Sequence, residues 1–266
     1  MSFIRIYAIV VRQMFLLRHN PTRFFNIFVW VALDIIMWGF VTKYLDSFAY
    51  SGFSFVPLFL GAVVLWDFLT RVSQGVMLAF FEDMWSRNFL NLFASPLGIG
   101  EYTTGLVLTS VITSLAGFLF MLSVSGFAFG LSFFKFGLLL IPFLLILFIF
   151  GLALGVFTVG IVLRFGPSAE WLAWPLPFLL NPFSGVFYPV ATLPGVLQGI
   201  SKIVPTSYVF EGMRSVLFSG QVSSVELATG IALSCFYLFA AYLFFKGIYR
   251  RALRNGLLAR FAAEGD

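Results

Sequence analysis

The sequence predicts an all-α integral membrane protein with six transmembrane helices, an interfacial amphipathic helix at the N-terminus and short re-entrant helices between the fifth and sixth spans. Hydrophobic residues make up 61% of the 266 residues, whereas charged residues make up only 10%. A soluble domain carries about 25% charged residues, so this chain lacks the side chains to cover a water-exposed surface. The apolar runs are long and continuous, which favours helices over the alternating pattern of a membrane β-barrel.

The first element is a predicted amphipathic helix over residues 2–20. Its apolar stripe consists of Ile6, Val10, Met14 and Leu17, and its polar stripe, at seven-residue intervals, consists of Arg5, Arg12 and His19. Such a helix lies in the headgroup region rather than across the bilayer. The alternative is an N-terminal segment that frays. Asn20-Pro21 ends the helix because proline disrupts helical continuation.

Six apolar runs follow as candidate spans. They cover about residues 24–43, 55–80, 103–130, 136–163, 170–190 and 225–245. A helix needs roughly 20 apolar residues to cross the hydrocarbon core, and each run reaches that length. The fifth run is interrupted by Pro175, Pro177, Pro182 and Pro189. We therefore expect a single transmembrane domain over residues 1–266.

The stretch 191–220 is semi-apolar and is broken by Pro194, Gly195, Gly199 and Pro205. Irregular backbone survives at membrane depth only where protein or a water-filled cavity surrounds it. We therefore expect short re-entrant helices on the extracytoplasmic side, in which Glu211 and Arg214 are spaced as an i,i+3 pair. The alternative is a helix that rests on the outer leaflet.

The distribution of basic residues predicts that both termini face the cytoplasm. With an even number of spans the two ends lie on one side, and that side carries Arg5, Arg12, Arg18, Arg23, Arg87, Arg164, Lys246, Arg250, Arg251, Arg254 and Arg260. The other side holds only Lys43, Lys135, Lys202 and Arg214. Basic residues are retained in the cytoplasm, so membrane orientation explains the net charge of +5 without a nucleic-acid partner. The basic tail, residues 246–266, is expected to bind anionic lipid headgroups.

A hydrophilic segment, residues 82–101, connects the second and third spans on the predicted cytoplasmic side. Two acidic residues, Glu82 and Asp83, stand near the expected start of a short helix, and Ser95-Pro96 ends it. The apolar residues at helical spacing between them are Trp85, Phe89, Leu92 and Phe93. A short amphipathic helix with exposed aromatic residues suits docking into a groove of a partner protein. The alternative is a helix that lies on the membrane surface and needs no partner.

Three charged residues fall inside the predicted spans. Asp34 lies midway along the first span, and Asp67 and Arg71 lie in the second at i,i+4 spacing, on one helix face. Charges at membrane depth are costly, face the bundle interior and find partners. One interpretation is a polar lining of a substrate route or a proton relay. The other is an ion pair of Arg71 with Asp67 or Asp34 that sets the helix register.

Small residues recur in the third and fourth spans, at Ser110 and Ser114 and at Gly151, Gly155 and Gly160. Small residues four apart let helix backbones approach closely. We interpret these positions as packing within one subunit rather than as a contact between subunits.

The 82–101 segment resembles the loop between the second and third spans of ABC type-2 exporter permeases. The residues that carry the resemblance are Glu82, Asn88, Leu90, Leu92, Ser95, Pro96, Leu97, Glu101 and Gly105. Later matches are Asn181-Pro182, the run 184–189, Leu193-Pro194, Pro205-Thr206, Glu211 and Arg214. The chain departs from the family pattern at Asn88-Phe89-Leu90, where the family often has Asn-Gly-Thr, and at Gly105-Leu106, where it usually has Gly-Lys.

The resemblance implies the membrane subunit of an exporter in the inner membrane of a prokaryote, paired with a second permease copy. The 82–101 segment would be a coupling helix that contacts a separate ATPase subunit through Glu82, Trp85, Asn88, Phe89, Leu92, Ser95 and Pro96. An outer gate would include Phe187, Tyr188, Glu211 and Arg214. ATP and Mg²⁺ would be bound by the partner subunit, since this chain has no phosphate-binding GxxxxGK[ST] loop. The family exports drugs, lipids and polysaccharide precursors, so an amphipathic, lipid-linked or glycan substrate is expected.

Two other functions remain open from the residues alone. A membrane-embedded enzyme would need a nucleophile with a base or a cluster of acids at metal-ligand spacing, whereas His19 is the only histidine and the acids are scattered. A scaffold or channel would need no ATPase. Copurification with an ATPase subunit distinguishes the permease from both.

Overall fold

The computed structural model of the chain describes residues 2–48, 55–86, 88, 91–92 and 95–254, and every regular element within these ranges is helical. The helices in chain order are α1 Phe3–His19, α2 Pro21–Asp46, α3 Gly61–Trp85, α4 Ile99–Phe129, α5 Leu140–Phe165, α6 Leu176–Ser184, α7 Gly195–Ser201, α8 Pro205–Ser219 and α9 Ser224–Arg254. A π-helical turn, Val56–Leu60, leads into α3, and 3-10 turns occupy Phe133–Leu139, Pro167–Leu172 and Val190–Thr192. The all-α fold class is confirmed for the part of the chain described.

Within the residues that the structure describes, five helical stretches are long and apolar enough to cross a membrane. They are Phe28–Asp46, Val56–Trp85, Ile99–Phe129, Phe136–Phe165 and Ser224–Ala252. They correspond to the first four predicted spans and the last one. The chain is therefore a multi-pass membrane protein.

The fifth predicted span, residues 170–190, consists of two short helical pieces. The first is the 3-10 turn Pro167–Leu172 and the second is the nine-residue helix α6. Pro175 caps the start of α6 and Pro177 lies in its first turn, where a missing amide hydrogen costs least. Because each proline removes a backbone donor from a continuous helix, the two pieces do not merge into one.

The predicted N-terminal amphipathic helix is confirmed as a helix, α1. One face, with Ile6, Ile9 and Gln13, is buried against the rest of the chain. The exposed large apolar residues of α1 are Phe3, Ile4, Tyr7, Phe15 and Leu16. An exposed apolar face of this kind is typical of a helix at a membrane surface.

Helix α3 packs closely against α5 through glycine. A Cβ atom added to Gly151 would lie 2.9 Å from the Leu69 carbonyl oxygen, and one added to Gly155 would lie 2.7 Å from that of Ser73. Both distances are shorter than van der Waals contact, so only glycine permits this approach. The predicted role of these positions in packing within one subunit is confirmed.

Helix α3 also packs against α4 through small residues. Ser110 Oγ donates a hydrogen bond to the Val72 carbonyl oxygen at 2.9 Å, and a Cβ atom at Gly75 would lie 2.5 Å from the same Oγ. Ser114 is buried one turn further along α4. Gly160 makes the corresponding contact between α5 and α9, where a Cβ atom would lie 3.0 Å from the Phe244 ring.

Several helix ends gather at one end of the bundle, which we call the α1 end. Helix α1 contacts the end of α3 and the start of α4. Trp85, the last residue of α3, donates a hydrogen bond to Glu170 at 3.0 Å, which places the 3-10 turn after α5 at the same end. The contact of Gly160 with Phe244 brings the end of α9 there as well.

Helices α7 and α8 lie toward the opposite end, which we call the α8 end. Tyr237 Oη donates a hydrogen bond to the carbonyl oxygen of Ile203, in the turn between α7 and α8, at 3.1 Å. Tyr237 lies about 20 Å along α9 from Ser224, at a rise of about 1.5 Å per residue. A Cβ atom at Gly230 would lie 3.3 Å from Tyr208 Cβ, so α8 runs beside α9 from this depth back toward the start of α9.

Candidate functional site

The 82–101 segment begins inside α3 rather than at a new helix. Glu82 and Asp83 belong to the last turns of α3, which ends at Trp85. The expectation that a helix starts at these acids is wrong, because no glycine or proline interrupts residues 76–85 and α3 simply continues. After α3, the Leu92 amide donates a hydrogen bond to the Asn88 carbonyl oxygen at 3.0 Å, and Asn91 and Leu92 are helical.

The exposed residues of this segment differ in part from those expected. Trp85, Asn91, Ser95 and Pro96 are exposed, and Glu82 and Asn88 are half-buried. Leu92 instead packs against the hydrophobic core. Phe89 lies outside the described residues. Within the described part of the segment, Ser86 and Gly98 are exposed as well, whereas Leu92 faces the core.

Asp83 joins three helices at the start of the segment. Its side chain is fully buried, and Oδ1 forms an ion pair with Arg12 of α1. Its Oδ2 accepts a hydrogen bond from Tyr102 Oη of α4 at 2.7 Å. A buried carboxylate is tolerated only when it is paired and hydrogen-bonded, and here both oxygens are. Asp83 therefore ties α1 and α4 to the end of α3.

Glu101 makes the corresponding contacts at the end of the segment. Its carboxylate accepts hydrogen bonds from the Ser2 amide at 2.6 Å and the Gly98 amide at 3.0 Å. Arg5 Nη1 of α1 lies 3.4 Å from Oε2. The bond to Gly98 caps the first turn of α4, where a negative charge is favourable, so Glu101 both starts α4 and holds α1.

Gly105 lets α1 cross α4 between these two groups. A Cβ atom added to Gly105 would lie 2.6 Å from Ile9 Cβ and 3.4 Å from the Ile6 carbonyl oxygen. Any larger residue would push α1 away from α4. Gly105 is one of the residues on which the sequence resemblance rests, and its close contact gives a physical reason for glycine there.

Sequence reasoning missed Arg5, Arg12, Asp83 and Tyr102 as members of this site. A signal for the arginines was present, since a seven-residue interval places them on one helix face two turns apart. That face was attributed to lipid headgroups, whereas Arg12 pairs with buried Asp83 and Arg5 with Glu101. A sequence alone does not tell whether a polar stripe meets water or another helix.

The three charges in the spans form a second group, which we call the charged triad: Asp34, Asp67 and Arg71. They interact electrostatically with one another, but among the described residues no direct ion pair joins any two of them. Asp34 on α2 is exposed, whereas Asp67 and Arg71 are half-buried. The Arg71 side chain lies against α4, where a Cβ atom at Gly117 would be 3.3 Å from Arg71 Cδ.

Arg214 organises the α8 end. It forms a 3.0 Å ion pair with Glu211, so the predicted i,i+3 contact is present. It also donates hydrogen bonds to the carbonyl oxygens of Gly185 and Val186, and Glu211 accepts one from the Val190 amide at 2.6 Å. The two side chains therefore hold the turn after α6 against α8.

Phe187 lies within that turn and contacts two other helical elements. Its ring stacks on Trp38 of α2 with centroids 5.0 Å apart, and on Phe59 of the π-helical turn with centroids 6.5 Å apart. Tyr188 Oη donates to the Pro182 carbonyl oxygen at 2.8 Å. The structure thus brings the four expected gate residues, Phe187, Tyr188, Glu211 and Arg214, to one region of the bundle.

Most of these helical elements lie within a sequence match between the chain and a known protein family. The family model of the ABC-2 type transporter matches residues 4–218, from α1 into the last turn of α8. The chain belongs to the ABC-2 type transporter family. This ABC-2 protein is thus a membrane permease component of an ABC transporter. Permeases of the family work with an ATP-binding subunit and are generally not catalytic themselves. No curated protein matches the chain in sequence.

Proposed function

We propose that this ABC-2 permease exports an amphipathic, lipid-linked or glycan substrate, driven by a separate ATPase subunit that docks on the 82–101 segment. The ATPase binds ATP and Mg²⁺, and the permease supplies the route through the membrane.

The observation that carries this proposal is the way the 82–101 segment is held. Its two ends are joined to α1, α3 and α4 through Asp83 and Glu101, while Asn91, Ser95 and Pro96 remain exposed between them. A partner that moves the exposed part therefore moves the spans with it.

The position of α6 supports a sixth crossing of the membrane. Glu170 bonds to Trp85 at one end of α3, and Phe187 stacks on Phe59 at the other end. Helix α3 has 25 residues and is about 37 Å long. The chain between Glu170 and Phe187 therefore covers the length of a span, although prolines divide it into two pieces.

The depth of the turn between α7 and α8 supports the re-entrant helices. This turn lies beside Tyr237, which is about 20 Å along α9 from its first residue. From there α8 runs back to the α8 end, so α7 and α8 together enter the bundle and leave it on the same side. In this proposal the turn held by Arg214 and the stacked ring of Phe187 form the outer gate.

The proposed orientation places the α1 end in the cytoplasm of a prokaryote and both termini on that side. Arg5, Arg12, Arg164 and Arg250 all lie on elements that meet at the α1 end, and basic residues are retained in the cytoplasm. The basic end of α9 would then lie at the inner leaflet, where anionic headgroups bind it.

A second permease copy is proposed to cover the exposed face of α2. Asp34 is exposed there, and a charge facing lipid is costly. The large exposed residues beside it are Trp30, Leu33, Met37 and Phe40. Near α6, the exposed aromatic residues are Trp171, Trp174 and Phe178. A homodimer that joins these faces would place the charged triad next to a central route for substrate.

The first experiment tests docking of the ATPase. The chain is coexpressed with a candidate ATP-binding subunit, and the amount of that subunit that copurifies is measured. Asn91→Arg and Ser95→Arg each place a bulky charge on the exposed surface of the 82–101 segment. We expect each to reduce copurification at least tenfold, since a bulky charge that finds no partner at an interface should cost more than the roughly 1.4 kcal/mol of a tenfold change in affinity.

The matched control is Ser219→Arg, an equal change at an exposed position of the α8 end, which should leave copurification unchanged. Normal ATPase recovery with Asn91→Arg and Ser95→Arg would contradict docking at this segment. A wild-type chain that transports without any ATPase would overturn the proposed function itself.

A further inference from the structure

Helix α1 contacts the 82–101 segment at both of its ends. Arg12 pairs with Asp83 at the start of the segment, and Arg5 and the Ser2 amide bind Glu101 at the end. Because Arg5 and Arg12 are two helical turns apart, they lie about 10 Å apart along α1. One rigid helix therefore connects the two ends of a loop through contacts that the covalent chain does not provide.

The contacts between these two pairs make the connection continuous. Ile9 lies over Gly105 at a distance that excludes any side chain, and Gln13 Nε2 donates to the Ala79 carbonyl oxygen at 3.5 Å. Helix α1 thus touches α4 at Glu101 and Gly105 and touches α3 at Ala79 and Asp83. Its buried face therefore has contacts with α3 or α4 along two turns of the helix.

Burial makes the pair of Arg12 and Asp83 stronger than an exposed ion pair. The Asp83 side chain is 0% exposed and that of Arg12 is 28% exposed, so salt screens their attraction less than at a surface. Removal of Arg12 would leave a buried carboxylate with only Tyr102 as partner, and an uncompensated buried charge is strongly destabilising. Helix α1 would then lose its attachment to α3.

We propose that α1 is a brace that holds both ends of the 82–101 segment, with Asp83 as the positioning residue at which α1, α3 and α4 meet. This inference rests on the proposed function, because it assigns α1 a part in transmitting movement from the ATPase. In it, α1, the 82–101 segment and the adjoining ends of α3 and α4 move as one body during the ATP cycle. A helix that served only as a lipid anchor would stay with the membrane surface while the segment moved.

The test measures the distance between spin labels on α1 and on the segment. Labels are placed at Tyr7→Cys and Ser86→Cys, both exposed positions outside the proposed docking residues, in a chain whose exposed Cys235 is replaced by serine. In lipid nanodiscs, the nucleotide-free chain is measured with and without the ATPase, and the permease–ATPase complex is measured after trapping with ATP and vanadate. We expect the same narrow distance distribution in each of these states. A shift of the mean distance between the nucleotide-free and trapped states would overturn the brace.

The second part of the test breaks the brace without touching the docking surface. Asp83→Asn keeps the shape of the side chain and an acceptor for Tyr102 but loses the charge that pairs with Arg12. We expect the label distribution to broaden about twofold, because half-buried Arg12 loses its ion-pair partner and α1 loses that attachment to α3. Arg12→Gln should act in the same way, and Arg12→Lys, which keeps the charge, should restore most of the narrow distribution. An unchanged distribution in both Asp83→Asn and Arg12→Gln would overturn the proposal.

Two glycine-to-alanine variants test the brace without changing any charge. Gly105→Ala forces α1 away from α4 and should broaden the same distribution. Gly126→Ala lies on the same helix, where the added Cβ atom would be 3.5 Å from its nearest neighbour, and should have no effect. Equal distributions for the two alanine variants would count against the brace.

The two proposals fail in different ways. The nucleotide-free measurement needs no ATPase, so the brace geometry is measured even if no ATPase binds the wild-type chain, a result that would refute the proposed function. If the ATPase copurifies and hydrolyses ATP but the distance shifts on trapping, the function stands and the brace is refuted.

Discussion

The most apolar stretches of the spans that contain α2 and α3 have the same mean hydropathy, yet the two helices occupy opposite environments. In the span that contains α3, 78% of the residues of the most apolar 18-residue stretch are buried inside the molecule. The corresponding share is 22% in α2 and 17% in α9. Hydropathy therefore identifies all three as spans but does not tell which one lies at the centre. What distinguishes α3 is its neighbours, because α4 and α5 approach it through Ser110, Gly151 and Gly155.

The difference has a physical cause that is specific to membranes. Lipid tails are as apolar as leucine, so no hydrophobic force drives a helix away from lipid and into the bundle. Close packing and hydrogen bonds between helices decide the arrangement instead. Substitutions on α3 and on its contacts should therefore cost far more than the same substitutions on α2 or α9.

The largest effect is expected for Phe68→Ala. Phe68 on α3 is 2% exposed, and its ring lies 4.9 Å from that of Phe118, so truncation leaves a cavity. We expect the free energy of unfolding, measured by denaturation in mixed micelles, to fall by about 3–5 kcal/mol. Phe236→Ala on α9, where the side chain is 62% exposed, should change it by less than about 0.5 kcal/mol. Similar losses for the two variants would contradict the central position of α3.

The next effect tests the contact between α3 and α5. Gly155→Ala places a methyl group 2.7 Å from the Ser73 carbonyl oxygen, and the resulting overpacking should cost about 1–3 kcal/mol. Gly247→Ala on α9, where no atom lies within 4 Å of the added Cβ, is the control. The same unfolding measurement should show no loss for that control, because alanine has a higher helix propensity than glycine; a loss at Gly247→Ala as large as that at Gly155→Ala would contradict overpacking as the cause.

A third prediction distinguishes the two exposed helices. If a second copy covers α2, Trp30→Ala should weaken self-association about tenfold, because buried tryptophan is often an anchor of protein interfaces. Trp30 is 65% exposed in the single chain. Phe239→Ala, at a 62% exposed position of α9, should leave self-association unchanged if α9 faces lipid. Analytical ultracentrifugation in detergent measures both, and the reverse result would move the dimer contact to α9.

The smallest effect concerns one hydrogen bond between α3 and α4. Ser110→Ala removes the bond to the Val72 carbonyl oxygen and should lower the free energy of unfolding by about 0.6 kcal/mol. Ser123→Ala is matched to it, since the Ser123 hydroxyl bonds only within α4, to the Leu119 carbonyl oxygen, and is exposed. A loss as large for Ser123→Ala would show that bonds between helices contribute nothing beyond local ones.

The sequence predicts where much of the candidate site lies, but it does not predict the contacts that its residues make. The 82–101 segment and the pair of Glu211 and Arg214 follow from their position and spacing. Leu92 was expected to face a partner and instead packs against the core. Helical spacing identifies an apolar face but does not tell what that face contacts. In this chain lipid, a partner protein and the core can all contact apolar residues.

The sequence by itself determined that the chain is helical, crosses the membrane several times and carries a polar segment after the second span. These features follow from the length of apolar runs and the positions of proline, which are local properties. Only the tertiary structure decided that α3 is central, that Arg12 meets Asp83 rather than headgroups, and that the interrupted run around α6 extends from one end of α3 to the other. Those outcomes depend on which surfaces fit together, and in a membrane that fit is a matter of shape and pairing between helices distant in the sequence.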